Sequence, residues 1–417
     1  RRAQGLRIPP TGYHHAGFTF LRAVVAFDRG NIQHAIDTVL EAYKAFDDTG
    51  FFNGIVTVGT VASNMAIAGG RFDVADQILG RLRAEEYGTI AENYLATIVL
   101  NQAWLAHRRG DSRSRVVLLV DAMRRARMES ARARFCWYTN ALAELLPVAL
   151  ASEIEPEIAT QLAREFHVLP AGIAPENWPW PVKVYTLGRF ELLIDGQSPG
   201  YSRKVPKKVL ALLKAIIAFG AKDVPEQKLL DALWPDEDGY AAYRSLTATL
   251  HRLRKLVGNG KVIRQTGGEI ALNRQCCWVD ADAFEDRVDH ASNGSEGLGE
   301  AIKIYRGAFL AQEEGTPWAV PARERLRAKF IHAVGKLGLF LETNGRYETA
   351  IELYARGIDA DNLVESFYQG LMRCYENLDR RSEAASAYRR LRQTLSVTLG
   401  IQPSTESQRL FETLRLN

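Results

Sequence analysis

Three glycines, Gly30, Gly70 and Gly110, stand 40 residues apart in a stretch rich in alanine, leucine and valine at helical spacing. Each sits where one helix should hand over to the next. The first two copies agree in detail: GNIQHAIDTVL from Gly30 matches GRFDVADQILG from Gly70, with Ala35 and Ala75 as the small residues that let paired helices approach. The third, GDSRSRVVLLV from Gly110, keeps the glycine and loses the alanine. Helix pairs of this length stack into a solenoid, which serves either as a scaffold or as a concave binding surface. A second repeat lies near the other end of the chain. NGRYETAIELYARGI from Asn344 overlays LDRRSEAASAYRRLR from Leu378 at an offset of 34, pairing Ala350 with Ala384, Tyr354 with Tyr388 and, upstream, Leu337 with Leu371. That offset is the tetratricopeptide (TPR) period.

The segment between the repeats has a different grammar. LPAGIAPENWPWP breaks any helix with Pro170, Pro175, Pro179 and Pro181. VKVYTLGRFELLIDGQSPG then reads as a small antiparallel sheet around an Asp195-Gly196 turn. Three helices follow, over 206–219, 225–233 and 241–257, and KVIRQTGGEIAL reads as a hairpin turning at Gly267-Gly268. Sheet, three helices and hairpin is the order of a winged helix-turn-helix. At VDADAFE, Asp282 and Glu285 have capping-box spacing for the next helix. The expected fold is therefore mostly α with a small α+β domain. It comprises a helical-repeat, TPR-like solenoid over 1–168, a proline-rich linker over 169–181, a winged helix over 182–275 and a second TPR-like helical domain over 280–417.

The third helix of the winged segment, within YRSLTATLHRLRKLVG, carries the functional signal. At about 100° per residue, Leu246, Leu250, Leu253 and Val257 form one stripe, and Arg244, Ala248, His251, Arg252 and Lys255 gather opposite. From Arg244 through Gly268 there is no Asp or Glu beside Arg244, Arg252, Arg254, Lys255, Lys261 and Arg264. A solvated helix mixes acids with its bases to gain i,i+4 pairs. This one leaves a cationic face that suits phosphate and guanine edges. Formal net charge is only +4, so attraction to nucleic acid must come from such local clustering.

Other function classes find little support. The four cysteines, Cys136, Cys276, Cys277 and Cys374, build neither a disulfide framework nor a CxxC metal site, and reduced thiols are expected. There is no GxxxxGK[ST], HExxH or GxSxG, and the eight histidines are scattered. Neither an enzyme nor a cofactor or metal is expected. No apolar run approaches the roughly 18 to 20 residues that span a bilayer, so the expected location is cytoplasmic.

The blocks LGRFELLIDG, KKVLALLKAII, LLDALWPDED, LTATLHRLRKLVG and VIRQTGGEIAL together resemble the OmpR/PhoB-type winged helix of Streptomyces antibiotic regulatory proteins (SARPs). VDADAFE, YRGAFLAQEEGTPWAVPARERLR and AYRRLRQTLSVTLGIQPSTESQRLFETL resemble the bacterial transcriptional activation domain that follows it in that family. LPVALASEIEPEIATQLAREF more weakly resembles the helical repeats of MalT-like regulators, which usually follow an NTPase domain. The resemblance implies double-stranded DNA and RNA polymerase as partners. Arg244, Thr249, His251, Arg252 and Arg254 then fall at DNA-contact positions on the recognition helix, with Lys255 near its end, and Arg264 and Thr266 on the wing. It also implies head-to-tail binding to direct repeats as a homodimer on DNA. Asp236, Glu237 and Asp238 fall in the loop that tends to face polymerase, while an acidic loop that merely caps the next helix is the plainer reading. Two positions depart from the family pattern: Gly268-Glu269-Ile270-Ala271 replaces a Gly-Tyr-Arg ending of the wing, and His251 stands where an arginine is common. The expected function is a sequence-specific activator controlled by an effector ligand or protein on its helical repeats. The alternative is a helical-repeat adaptor whose winged helix contacts proteins.

Overall fold

The 40-residue glycine spacing is a spacing of helix pairs. A computed structural model of the chain describes residues 12–83, 88–172, 175–200, 206–258, 260–291, 295–313 and 315–416, in two units, 1–179 and 180–417. In the first unit α1 (Tyr13–Asp28) pairs with α2 (Ile32–Asp48), α3 (Phe52–Ala68) with α4 (Phe72–Leu82), and α5 (Gly88–Arg108) with α6 (Ser112–Arg125). Gly30, Gly70 and Gly110 occupy the three joints at φ of 79°, 78° and 78°, a left-handed backbone that strains other residues. At each joint two N–H groups turn back to the preceding helix, as Gly30 N–H does to Phe27 O and Asn31 N–H to Ala26 O. These bonds satisfy carbonyls that a helix end otherwise leaves open.

A fourth pair escaped the glycine count. After α7 (Glu129–Arg132) and a 3₁₀ turn (Ala133–Tyr138), α8 (Thr139–Ala151) joins α9 (Pro156–Glu165) through the same two bonds, Glu153 N–H to Leu150 O and Ile154 N–H to Ala149 O. Here the left-handed residue is Glu153, at φ 54°, so no glycine marks the joint. Ala35 and Ala75 are completely buried, as is Ala159 in α9. Alongside this apolar packing runs a polar seam through α3, α5 and α8. The Asn64 Nδ2 donates to Asn101 Oδ1 at 3.1 Å, Asn140 Nδ2 donates to Asn64 Oδ1 at 2.9 Å, and Asn101 Nδ2 donates to Thr60 O at 2.8 Å and Ser63 Oγ at 3.1 Å.

The second unit opens with β1 (Val182–Tyr185), β2 (Glu191–Ile194), α10 (Lys207–Ala218), β3 (Val224–Pro225), α11 (Glu226–Leu233), α12 (Gly239–Leu256), β4 (Ile263–Thr266), β5 (Glu269–Leu272) and β6 (Cys277–Val279). One sheet has the order β2-β1-β6 and the other β3-β5-β4. The expected antiparallel sheet is in fact mixed: β1 runs antiparallel to β2 and parallel to β6, which arrives from beyond the wing. The Asp195-Gly196 turn follows β2 and closes only a single bridge, between Ile194 and Gln197. Gly267 and Gly268, at φ 62° and 80°, supply the two left-handed residues that a tight β4–β5 hairpin needs.

Next come α13 (Asp280–His290), α14 (Ser295–Ile304), a 3₁₀ turn (Pro317–Ala319), α15 (Val320–Thr343), α16 (Tyr347–Ala360), α17 (Glu365–Asn377), α18 (Arg381–Leu399) and α19 (Thr405–Leu416). All six residues matched at the 34-residue offset are buried. The Tyr354 ring is the tightest point: a β-carbon on Gly370 would lie 2.4 Å from it. Its hydroxyl donates to Glu342 Oε1 at 2.6 Å, and the other carboxylate oxygen accepts from Arg373 Nε at 2.9 Å. The expected capping box is absent. Helix α13 begins earlier, with Val279 as its N-cap, and Asp282 sits 3.2 Å from Arg274 while Glu285 pairs with Arg325 and Lys329.

The segments 182–275 and 280–417 lie in the same compact unit and are joined by direct contacts. Strand β6 pairs with β1, and the Asp280 carboxylate at the start of α13 accepts from Thr186 N–H at 2.8 Å, Thr186 Oγ1 at 2.7 Å and Leu187 N–H at 2.9 Å. Lys214 of α10, its ammonium 4.0 Å from the centroid of the Phe190 ring, bonds to Glu313.

Two substitutions test these contacts. Gly370→Ala should destabilise the chain by about 1 to 3 kcal/mol through overpacking against Tyr354, read as a lower urea midpoint. Asp280→Asn keeps the size but turns an amide NH₂ toward N–H donors. It should cost about 1 to 3 kcal/mol by the same assay, as a buried donor left unsatisfied does.

Candidate nucleic-acid interface

Helix α12 is built from its two ends and its inner face. At its start the Asp238 side chain accepts from Ala241 N–H at 2.9 Å as the N-cap, and Glu237 accepts from Ser245 Oγ at 2.8 Å. Such caps satisfy donors the first turn cannot satisfy itself. Ala242, Leu246, Leu250 and Leu253 are buried, with Val257 just beyond the helix. Arg254 and Lys255 lie in the last turn, where positive charge complements the helix dipole. Arg244, Ala248, His251, Arg252 and Lys255 are all exposed. Arg244, Arg252 and Lys255 make no ion pair with any described residue, so no described carboxylate compensates their charge.

Arg254 is held differently. Its Nη2 donates to Gln265 Oε1 on β4 at 3.3 Å, and Gln265 Nε2 donates to Glu226 Oε1 at the start of α11 at 2.7 Å. The guanidinium thus braces the helix against the hairpin. Tyr240 and Tyr243, 75% and 48% exposed, stand on the first turns of α12, and the Arg244 guanidinium lies 5.9 Å from the Tyr240 ring. The sequence reading passed over both tyrosines. The signal was available, because Tyr240 precedes Arg244 by one helical turn and shares its side of the helix.

Comparison with known proteins bears on the segment after the hairpin and on the chain at large. Residues 279–415 match the family described as the bacterial transcriptional activator domain. The chain is 25% identical over 206 residues to the regulatory protein AfsR of Streptomyces griseus, covering 47% of this chain and 21% of that protein. It is 26% identical over 212 residues to AfsR of Streptomyces coelicolor, covering 48% and 21%. Residues 279–415 thus carry a bacterial transcriptional activator domain, and about half of the chain is similar to the AfsR regulatory proteins. It spans about a fifth of the length of the AfsR proteins it matches. Among solved structures, Mycobacterium tuberculosis EmbR in complex with a low-affinity phosphopeptide aligns at a TM-score of 0.44 and 24% identity, over 57% of this chain and 65% of that one.

One expected contact residue must be withdrawn from the outward face. Thr249 is buried, and its hydroxyl donates to Ser245 O at 2.7 Å. The reason is its place on the wheel, between Leu246 three residues before it and Leu253 four after, on the flank of the apolar stripe. Arg264 and Thr266 are exposed on β4 and alternate onto one side of the hairpin, opposite Ala271 and Glu269. That side also presents Asp223, which lines the same depression with Glu269. Two carboxylates beside one arginine make the wing a poorer phosphate contact than α12. Of the acidic loop residues, Asp238 and Glu237 are engaged by α12, and only Asp236 is exposed without a bond to a described residue.

Among the described residues no cluster of His, Cys, Asp and Glu could hold a metal ion, and no helix is long and apolar enough to cross a membrane. Cys277 is buried in β6, where desolvation pushes its thiol pKa up.

Leu250→Ala should lower stability by about 2 to 5 kcal/mol through the cavity it leaves. Asp238→Ala should cost about 0.5 to 2 kcal/mol through the lost cap. Both are measured by urea unfolding, with α12's exposed cations untouched.

Proposed function

We propose that this SARP-type chain is a sequence-specific DNA-binding transcriptional regulator, an activator that binds direct-repeat operators as a head-to-tail homodimer and recruits RNA polymerase. The observation that carries this reading is the face of α12, where Arg244, Arg252 and Lys255 stand exposed and unpaired on a helix whose opposite side is buried. The major groove admits a helix of this kind, and arginine forks match guanine O6 and N7. The relationship to AfsR, itself called a regulatory protein, supports the same conclusion. The element order supports the resemblance of the winged helix to the OmpR/PhoB type. In this reading residues 1–168 take the effector ligand or protein that controls the activator, and 169–181 join them to the DNA-binding part.

Asp236 is the loop carboxylate best placed to meet polymerase, since Glu237 and Asp238 serve the recognition helix. Replacing it with Ala should lower activated transcription in a reconstituted assay while duplex affinity stays unchanged. Replacing all three would disturb the helix start and confuse the two roles.

Selection of bound sequences from a random duplex pool tests the central claim. Recovery of direct repeats with half-sites about 10 to 10.5 bp apart fits it, and failure to enrich any sequence refutes it in favour of the adaptor. On a selected site, Arg252→Ala should weaken binding by about 1 to 3 kcal/mol and relax preference at one base pair. Lys255→Ala should weaken specific and scrambled duplexes alike and reduce the salt slope by roughly one.

A further inference from the structure

The chain contains a second acid-free basic run. Between Glu383 and Glu406 there is no Asp or Glu, while Arg389, Arg390 and Arg392 stand close together. The run forms most of α18 and the segment after it, within the activator domain. Arg390 is 3.6 Å from Asp359, but Arg389 and Arg392 make no ion pair with a described residue.

Helical spacing sorts this run into one face. Arg389, Arg392, Gln393, Ser396 and Val397 follow the i, i+3, i+4, i+7, i+8 order, and together with Gln402 they line a single open depression. None of the Gln393, Ser396 and Gln402 side chains bonds to a described residue. Helix α18 buries its other side through Ala384, Ala387, Tyr388, Leu391 and Leu395. Its last turn and the segment after Gly400 then expose aliphatic surface: Val397 and Leu399 on the helix and Ile401 beyond it are 79%, 52% and 49% accessible. The face therefore grades from two free guanidinium groups, through amides and a hydroxyl, to apolar carbon.

We propose that this face of α18 docks an acidic amphipathic helix of a protein partner. Its carboxylates would meet Arg389 and Arg392, and its aliphatic residues would cover Val397, Leu399 and Ile401. Charge complementarity selects the acidic side. The exposed aliphatic end selects protein over duplex, because a phosphate backbone offers nothing that would bury three branched side chains, whereas helix-in-face docking uses both kinds of contact. From Arg389 to Val397 the face is about 12 Å long at 1.5 Å per residue, which accommodates roughly two turns of a partner helix. The proposal is independent of DNA reading by α12 and uses different residues.

The test is fluorescence anisotropy with the full chain. The probe is a labelled 18-residue synthetic peptide in which Glu and Leu alternate at helical spacing, beside a scrambled peptide of the same composition and a 30-bp duplex. The amphipathic peptide should bind more tightly than the scrambled one. The double substitution Arg389→Glu with Arg392→Glu, and separately Val397→Asp, should each weaken it at least tenfold. The milder pair Arg389→Gln with Arg392→Gln, all at exposed positions, should weaken it while leaving the thermal unfolding curve unchanged. Arg252→Ala should leave peptide binding intact, which keeps this test apart from that of DNA reading. Equal binding of the amphipathic and scrambled peptides, or binding insensitive to the arginine pair, overturns the proposal. So does a loss of duplex affinity on Arg389→Gln with Arg392→Gln, which would make the face a nucleic-acid surface.

Discussion

The buried carboxylate of Asp280 holds the two parts of the second unit in one fold. Removed from water, it is pushed up to about 6 by desolvation, against the pull of hydrogen bonds from Thr186, Leu187 and Ala281. A buried charge of this kind survives only when donors surround it. Its donors come from the residues that follow β1 and its own backbone opens α13, so the β2-β1-β6 sheet and the first helix of the activator domain share one anchor. The Lys214 to Glu313 pair repeats the tie from α10. The activator domain is thereby tied through Cys277–Asp280 to the unit that carries α12.

Charge on this surface divides into two populations. Most arginines with a carboxylate nearby are paired, as Arg81 is with Asp47 at 2.6 Å and Arg327 with Asp361 at 2.6 Å. Exposed pairs of this sort add little stability and mostly fix local geometry. Arg244, Arg252 and Lys255 of α12 and Arg389 and Arg392 of α18 are different because the sequence around them withholds acids. That omission leaves charge available for something outside the chain.

Much of this was legible before the structure. Period 3.6 placed the apolar stripe of α12, and the 34-residue offset named six residues that are all buried. The glycine spacing found three helix pairs because Gly30, Gly70 and Gly110 are where the backbone turns left-handed. It missed the fourth because Glu153 accepts the same conformation without a glycine to announce it. Thr249 was misplaced because it was named from the family resemblance, which carries over a position in a motif but not the width of the buried stripe, and a threonine hydroxyl can satisfy itself on the preceding turn. The pairing of β6 with β1 was invisible for another reason: β6 is only three residues long, and its partner lies across the whole winged segment, so no local pattern specifies it.

The bond from Arg254 to Gln265 has a further consequence. An arginine on a surface usually gains a fixed posture by meeting a carboxylate, and surrenders its charge in doing so. Gln265 is neutral: its carbonyl oxygen holds the guanidinium while its amide passes the link on to Glu226, so the cation is oriented without being cancelled. Ordering a long side chain is among the costs of forming a complex, about 0.5 to 1.5 kcal/mol for each one immobilised. For Arg254 much of that ordering is complete when the domain folds. Its direction is set by the hairpin, so a shift of the wing would re-aim the charge and change what the helix offers without altering a residue on it.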